Sequence, residues 1–148
     1  MSINNRITQL TGTQYPIIQA PMGWIARAQL AAAVSNPGGL GVIETSSGEM
    51  DNIKREVALM RQMTDKPFAM NVALSYVRGT NIIDFVIDQG IKFVTTSSGS
   101  PSVCTQDFQA AGITVFHVVP TLEMALKALD AGVDGLVVEG GEGGGFKN

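Results

Sequence analysis

Cysteine is almost absent from this 148-residue chain, charge is sparse, and no long hydrophobic run interrupts it. Each shortage excludes something. The single Cys104 cannot form an internal disulfide and fits a reducing, cytoplasmic setting. Charged residues make up 16% of the chain and the net charge is −3, with no basic block, so nucleic acid is not an expected partner. No apolar run approaches the ~20 residues that a membrane helix needs. The opening Met1-Ser2-Ile3-Asn4-Asn5-Arg6 lacks the apolar core of a signal peptide. The expectation is therefore a soluble cytoplasmic protein without membrane contact. His117 is the one histidine, and it lies far from Cys104 in sequence, so no metal site is expected.

What the chain does have is 45% apolar residues, gathered into short runs at 16–20, 40–44, 68–74, 93–97, 114–119 and 136–139. These runs are nearly continuous in Val, Ile, Phe and Leu and do not alternate with polar residues. That pattern implies burial on both faces, as in a parallel sheet. Helical signals fill the gaps. Ser46 with Glu49 reads as a capping box ahead of Met50, Ile53, Val57 and Met60 at helical spacing. Ser100-Pro101 reads as an N-cap with proline in the first turn, and Thr121 as the cap of a helix striped by Leu122, Ala125, Leu126 and Leu129. Asn36-Pro37-Gly38-Gly39, Gly90, Gly112 and Gly132 mark helix ends.

The reading predicts six strands and five helices in one domain, residues 1–148, with strand starts every ~21–28 residues, the pitch of a βα unit. Six such strands suit an open doubly wound sheet or the first part of a (β/α)8 barrel, which usually takes ~250 residues. An open dinucleotide-binding sheet carries a glycine fingerprint after its first strand, and Pro21-Met22-Gly23-Trp24 is not one. The barrel is preferred.

Parallel strands would collect Gln19, Glu44, Asn71, Thr95 to Ser98, His117 and Glu139 at one rim, where such folds bind ligands. Gln19-Ala20-Pro21-Met22-Gly23-Trp24 reads either as an apolar floor for a flat ring or as an ordinary strand-to-helix loop. Asn71 is a buried amide that needs partners, from a ligand or from the core. The hydroxyls of Thr95-Thr96-Ser97-Ser98 face the mouth or cap the next helix, and His117 is a catalyst or a hydrogen-bonded core residue. The strongest signal is Glu139-Gly140-Gly141-Glu142-Gly143-Gly144-Gly145-Phe146, which reads as a ligand loop or as a flexible linker, the loop being preferred because the run abuts a buried strand. Glycines there permit close backbone approach to a bound group, and no Lys-Ser/Thr ending makes it a P-loop.

Four segments together resemble the nitronate monooxygenases, formerly 2-nitropropane dioxygenases. They are Pro16-Ile17-Ile18-Gln19-Ala20-Pro21-Met22-Gly23-Trp24, Asn36-Pro37-Gly38-Gly39-Leu40-Gly41, Thr64-Asp65-Lys66-Pro67-Phe68-Ala69-Met70-Asn71 and the glycine run after Glu139. The same superfamily holds FMN-dependent enoyl-thioester reductases and an NADH:quinone reductase. The resemblance implies one FMN-binding barrel domain, cut short at its C-terminal end before the loops that grip the FMN phosphate. It implies that Ala20, Pro21, Met22 and Gly23 lie against the flavin ring, that Asn71 hydrogen-bonds it, and that Glu139, Gly144 and Gly145 border it.

Members that oxidise nitronates typically carry a histidine after the last glycine of this run, where Phe146 stands here. Phenylalanine moves no proton, which leaves His117 as the candidate catalytic residue. Two functions follow from the resemblance, oxidation of nitronates or nitroalkanes with O2 or reduction of enoyl thioesters or quinones by NAD(P)H; the open edges of an incomplete sheet offer a third reading, an inactive fragment that self-associates. The first two take a small-molecule substrate.

Overall fold

The computed structural model describes residues 3–144. Five parallel strands, β1 (Gly41–Ile43), β2 (Phe68–Ala73), β3 (Phe93–Ser97), β4 (Thr114–Val119) and β5 (Gly135–Val138), form one sheet in sequential order. Six α-helices accompany them: α1 (Arg6–Thr11), α2 (Ala28–Ser35), α3 (Met50–Met63), α4 (Ile82–Asp88), α5 (Thr105–Ala110) and α6 (Leu122–Asp130). Among the described residues no helix is long and apolar enough to cross a membrane.

The sheet has two unlike faces. Outward side chains, among them Ile43, Met70, Val72, Val94 and Val115, pack with Ile53, Val57, Met60, Val86 and Phe108 of the helices in one large core. Gly41 lets α2 lie against β1, because a Cβ there would sit 2.0 Å from the Ala31 carbonyl oxygen. The inner face holds a smaller cluster of Leu40, Val42, Ala69, Phe93 and Phe116, closed by Ile7 and Leu10 of α1 and by Ile18. A doubly wound sheet reverses its strand order and covers both faces with crossover helices. Sequential order with the crossover helices on one face is barrel geometry, here five strands of it.

Several local expectations change. The run at 16–20 does not become a strand of its own. It makes a single parallel pair, Ile18 with Leu40, through Leu40 N–H to Ile17 O and Gln19 N–H to Leu40 O. At the next position the Gln19 side chain replaces the main chain. Its Nε2 donates to Val42 O at 3.0 Å, and its Oε1 accepts from Val42 N–H at 3.4 Å. The ladder therefore ends in a side-chain amide, one strand short of the six expected.

The helix α1 is additional. Asn5 caps it by accepting from Thr8 N–H at 3.0 Å, while Thr8 Oγ1 accepts from Asn5 N–H. Ser46 does not cap α3, whose N-cap is Glu49 with no side-chain bond, because Glu44 captures Ser46 instead. Ser100-Pro101 opens a 3-10 turn, Pro101–Val103, rather than the helix itself. Thr121 caps α6 as expected, accepting from Met124 N–H at 3.2 Å. Gly90, Gly112 and Gly132 all take positive φ at helix ends.

Candidate active site

The inner face divides along the strand direction. Its N-terminal part is the apolar cluster plugged by α1; its C-terminal part is polar. In register, Asn71 of β2 pairs with Thr95 of β3, and Ser97 follows on the same face. Asn71 is 3% exposed, so its amide must be satisfied within the protein. Nδ2 donates to Thr95 Oγ1 at 2.9 Å and to Thr95 O at 3.3 Å, and Oδ1 accepts from Ser97 Oγ at 3.3 Å. Both donors are thus spent on β3. One acceptor lone pair of Oδ1 is left by these bonds.

His117 is elsewhere. It pairs with Thr96 and follows Val115 on β4, which places it on the helix-packed face, opposite to Asn71 and Thr95. The side chain is buried and its Nδ1 lies 2.7 Å from Thr96 Oγ1. Burial pushes its pKa below 6.5, partly opposed by a hydrogen bond to Thr96, which favours the neutral imidazole. The period-two alternation of a strand decided this: an odd-even difference from Phe116 turns His117 away from the inner face. The expected rim cluster of Gln19, Asn71, His117 and Glu139 therefore lacks its histidine, and the catalytic role assigned to His117 has no geometric support. Cys104 is equally remote from chemistry, its thiol pushed up to about 11 by burial and by Asp107.

The loop of residues 20–25 lies at the rim and is largely exposed, with Ala20, Met22, Gly23, Trp24 and Ile25 open to solvent and Pro21 partly so. It is fixed from beneath by charge. The buried Glu44, just past β1, accepts from Trp24 N–H at 3.2 Å through Oε1 and from Ser46 N–H and Oγ–H at 2.6 and 2.5 Å through Oε2. Arg27 reaches Glu44 at 3.7 Å and Glu56 at 3.5 Å, and its guanidinium stacks 4.9 Å from the Trp24 ring. Glu56 in turn accepts from Ala28 N–H at 3.1 Å, capping α2 from a neighbouring helix. No pairing signal in the sequence marked Arg27 or Glu56, because their meeting is made by the packing of α2 on α3.

Past β5, Glu139 N–H donates to Val119 O, which keeps the start of the glycine run on the sheet. A Cβ at Gly141 or Gly144 would meet open space, while Gly140 lies under the Glu142 carboxylate. Gly145 and Phe146 lie outside the described residues.

Residues 4–81 match the nitronate monooxygenase family. A nitronate monooxygenase of Pseudomonas aeruginosa is 28% identical over 98% of this chain and 52% of its own length. An octahydro-indene-carboxyl-CoA dehydrogenase of Mycobacterium tuberculosis is also 28% identical, over 98% of this chain and 41% of its own. Among solved structures, FabK from Thermotoga maritima superposes with a TM-score of 0.86 at 30% identity, covering 93% of this chain and 44% of that one. The chain thus spans about half the length of the relatives it matches. With more than half of its residues inside the family match and the parallel barrel strands in sequential order, this chain is a member of the nitronate monooxygenase family.

Proposed function

We propose that this chain is the ring-facing part of an FMN-dependent oxidoreductase that oxidises nitronates. The observation that carries the reading is the division of the inner face into a plugged apolar end and a polar mouth edged by an exposed apolar loop. The residues present fit a flavin. Loop 20–23 offers an apolar shelf, Asn71 keeps one acceptor lone pair for a ring N–H, and Gly141 and Gly144 leave backbone open to close approach. Ala20, Pro21, Met22, Gly23, Asn71, Glu139, Gly144 and, beyond the described residues, Gly145 are the proposed contacts.

FMN, when bound, supplies the acceptor for the electrons that leave the substrate. The protein's own contribution is orientation and exclusion of water. Thr95 and Ser97 lock the Asn71 amide in one orientation, and α1 closes the floor. With the only histidine facing the helices, no imidazole of the described residues serves the mouth. Between a nitronate and its neutral nitroalkane, this set of residues suits the one already deprotonated. A nitronate is the anion left when a nitroalkane loses its α-proton, so its oxidation needs no general base, whereas the neutral nitroalkane needs one.

The test is anaerobic reduction of the FMN-loaded protein. Propionate 3-nitronate should bleach the flavin, the neutral nitro acid should do so at least ~100-fold more slowly, in line with the usual worth of a general base. Equal rates would sink the base-free reading. A second reading, an NAD(P)H-fed reductase of enoyl thioesters or quinones, draws on the named carboxyl-CoA relative and on Phe146. Bleaching by NADH but not by nitronate would select it.

A further inference from the structure

We propose that Glu44 is a positioning residue that holds the shelf loop and the loop after β1 together as one ring-facing surface, an inference that rests on the flavin reading. Glu44 is 4% exposed and spends its two oxygens on different segments. Oε1 takes the Trp24 N–H and faces Arg27, on the loop before α2. Oε2 takes both donors of Ser46, on the loop before α3. Gly23 completes the junction, since a Cβ there would lie 3.1 Å from Ser46 Oγ. One carboxylate thus joins the first two rim loops.

The shelf is held against a local cost. Trp24 has φ of 63°, the left-handed region that a bulky residue avoids, inside a turn closed by Ile25 and Ala26 N–H groups on Met22 O. Trp24 is 64% exposed, so burial offsets little of that cost. What holds it is the N–H bond to Glu44 and the stacked Arg27. Backbone held in a sparsely populated region by surrounding contacts is characteristic of ligand clamps. Glutamine at 44 would keep one good acceptor but turn an amide N–H2 toward donors on one side, releasing one of the two loops.

Trp24 is the only tryptophan, so its fluorescence reports the loop directly. In purified protein, E44Q should raise acrylamide quenching of Trp24 and weaken FMN binding by about tenfold or more, the loss expected from one charge-assisted bond. Its melting temperature should fall by only a few degrees. W24G supplies a variant that folds readily, because glycine takes positive φ without strain. It keeps the N–H that Glu44 accepts and loses only the indole under Arg27, so it should melt no lower than wild type and lose less FMN affinity than E44Q does. Unchanged FMN affinity in both variants overturns the inference. So does a loss of affinity in E44Q that only tracks its unfolding while W24G binds normally. Should the wild-type protein bind no FMN, the flavin reading fails, and the joining role is decided by Trp24 quenching in E44Q, where no change overturns it.

Discussion

The two edges of the sheet are finished differently. Beside β1, Ile18 adds one parallel pair and the Gln19 amide takes the N–H and C=O of Val42, so the backbone row is completed by the chain itself. Beside β5 nothing among the described residues pairs, and Val138 is 76% exposed. The adjacent α6 repeats the contrast. Its small residues Ala125 and Ala128 face the sheet, while Leu122, Leu126 and Leu129 form an open stripe about a quarter-turn away. In α3, by comparison, Ile53, Val57 and Met60 are all buried. Each βα unit is buried by the unit that follows it, and α6 with β5 is the last unit described. Stability should therefore be concentrated in the flank from α2 to α5 and fade toward α6.

The largest test of that gradient is Phe108→Ala. This ring is fully buried between α5 and the sheet. Its loss should cost about 3–5 kcal/mol in urea unfolding, and a loss below ~1 kcal/mol would break the comparison.

A second effect belongs to His117, in the same buried layer at β4. Its folded pKa is depressed below 6.5, so above that pH neither state is protonated and its contribution to stability is whole. As pH falls below 6.5 the unfolded chain takes up the proton first, and stability falls until the folded pKa is passed. Denaturation midpoints should drop over that window in wild type and drop less in His117→Gln. Equal slopes in the two proteins would mean that His117 does not titrate on unfolding.

The smallest effect is expected on the open stripe. Leu126→Glu combined with Leu129→Lys should change stability by less than ~0.5 kcal/mol, as for other exposed positions. A loss comparable to Phe108→Ala would show that α6 is covered in solution, by a second copy or by further chain, and the gradient would disappear.

Much of this was legible in the sequence, for reasons that are local. Unalternating runs at 68–74, 93–97 and 114–119 became β2, β3 and β4 nearly residue for residue, because burial on both faces leaves no room for polar alternation. Gly112, Gly132 and Thr121 ended and began helices as their backbone and hydroxyl chemistry requires. The glycine run and the shelf loop were visible as composition, and Asn71 as a polar residue in an apolar run. The helix α1 could have been found in Asn5 and Thr8, three residues apart, although neither is the usual acidic partner of a capping box.

What the sequence alone determined is the alphabet of elements and the polar residues that end them, since periodicity and capping act over a few residues. Only the tertiary structure decided which face each residue takes and which charges meet. His117 and Asn71 look equivalent as polar residues in apolar strands. Register puts Asn71 with Thr95 on the inner face and His117 with Thr96 among the helices. Ser46 reads as a helix cap in the sequence, yet in the fold it gives both its donors to Glu44, where Trp24 and Arg27 also meet. Strand pairing and helix packing join residues tens of positions apart, and a pattern with a period of two or 3.6 carries no information about those meetings.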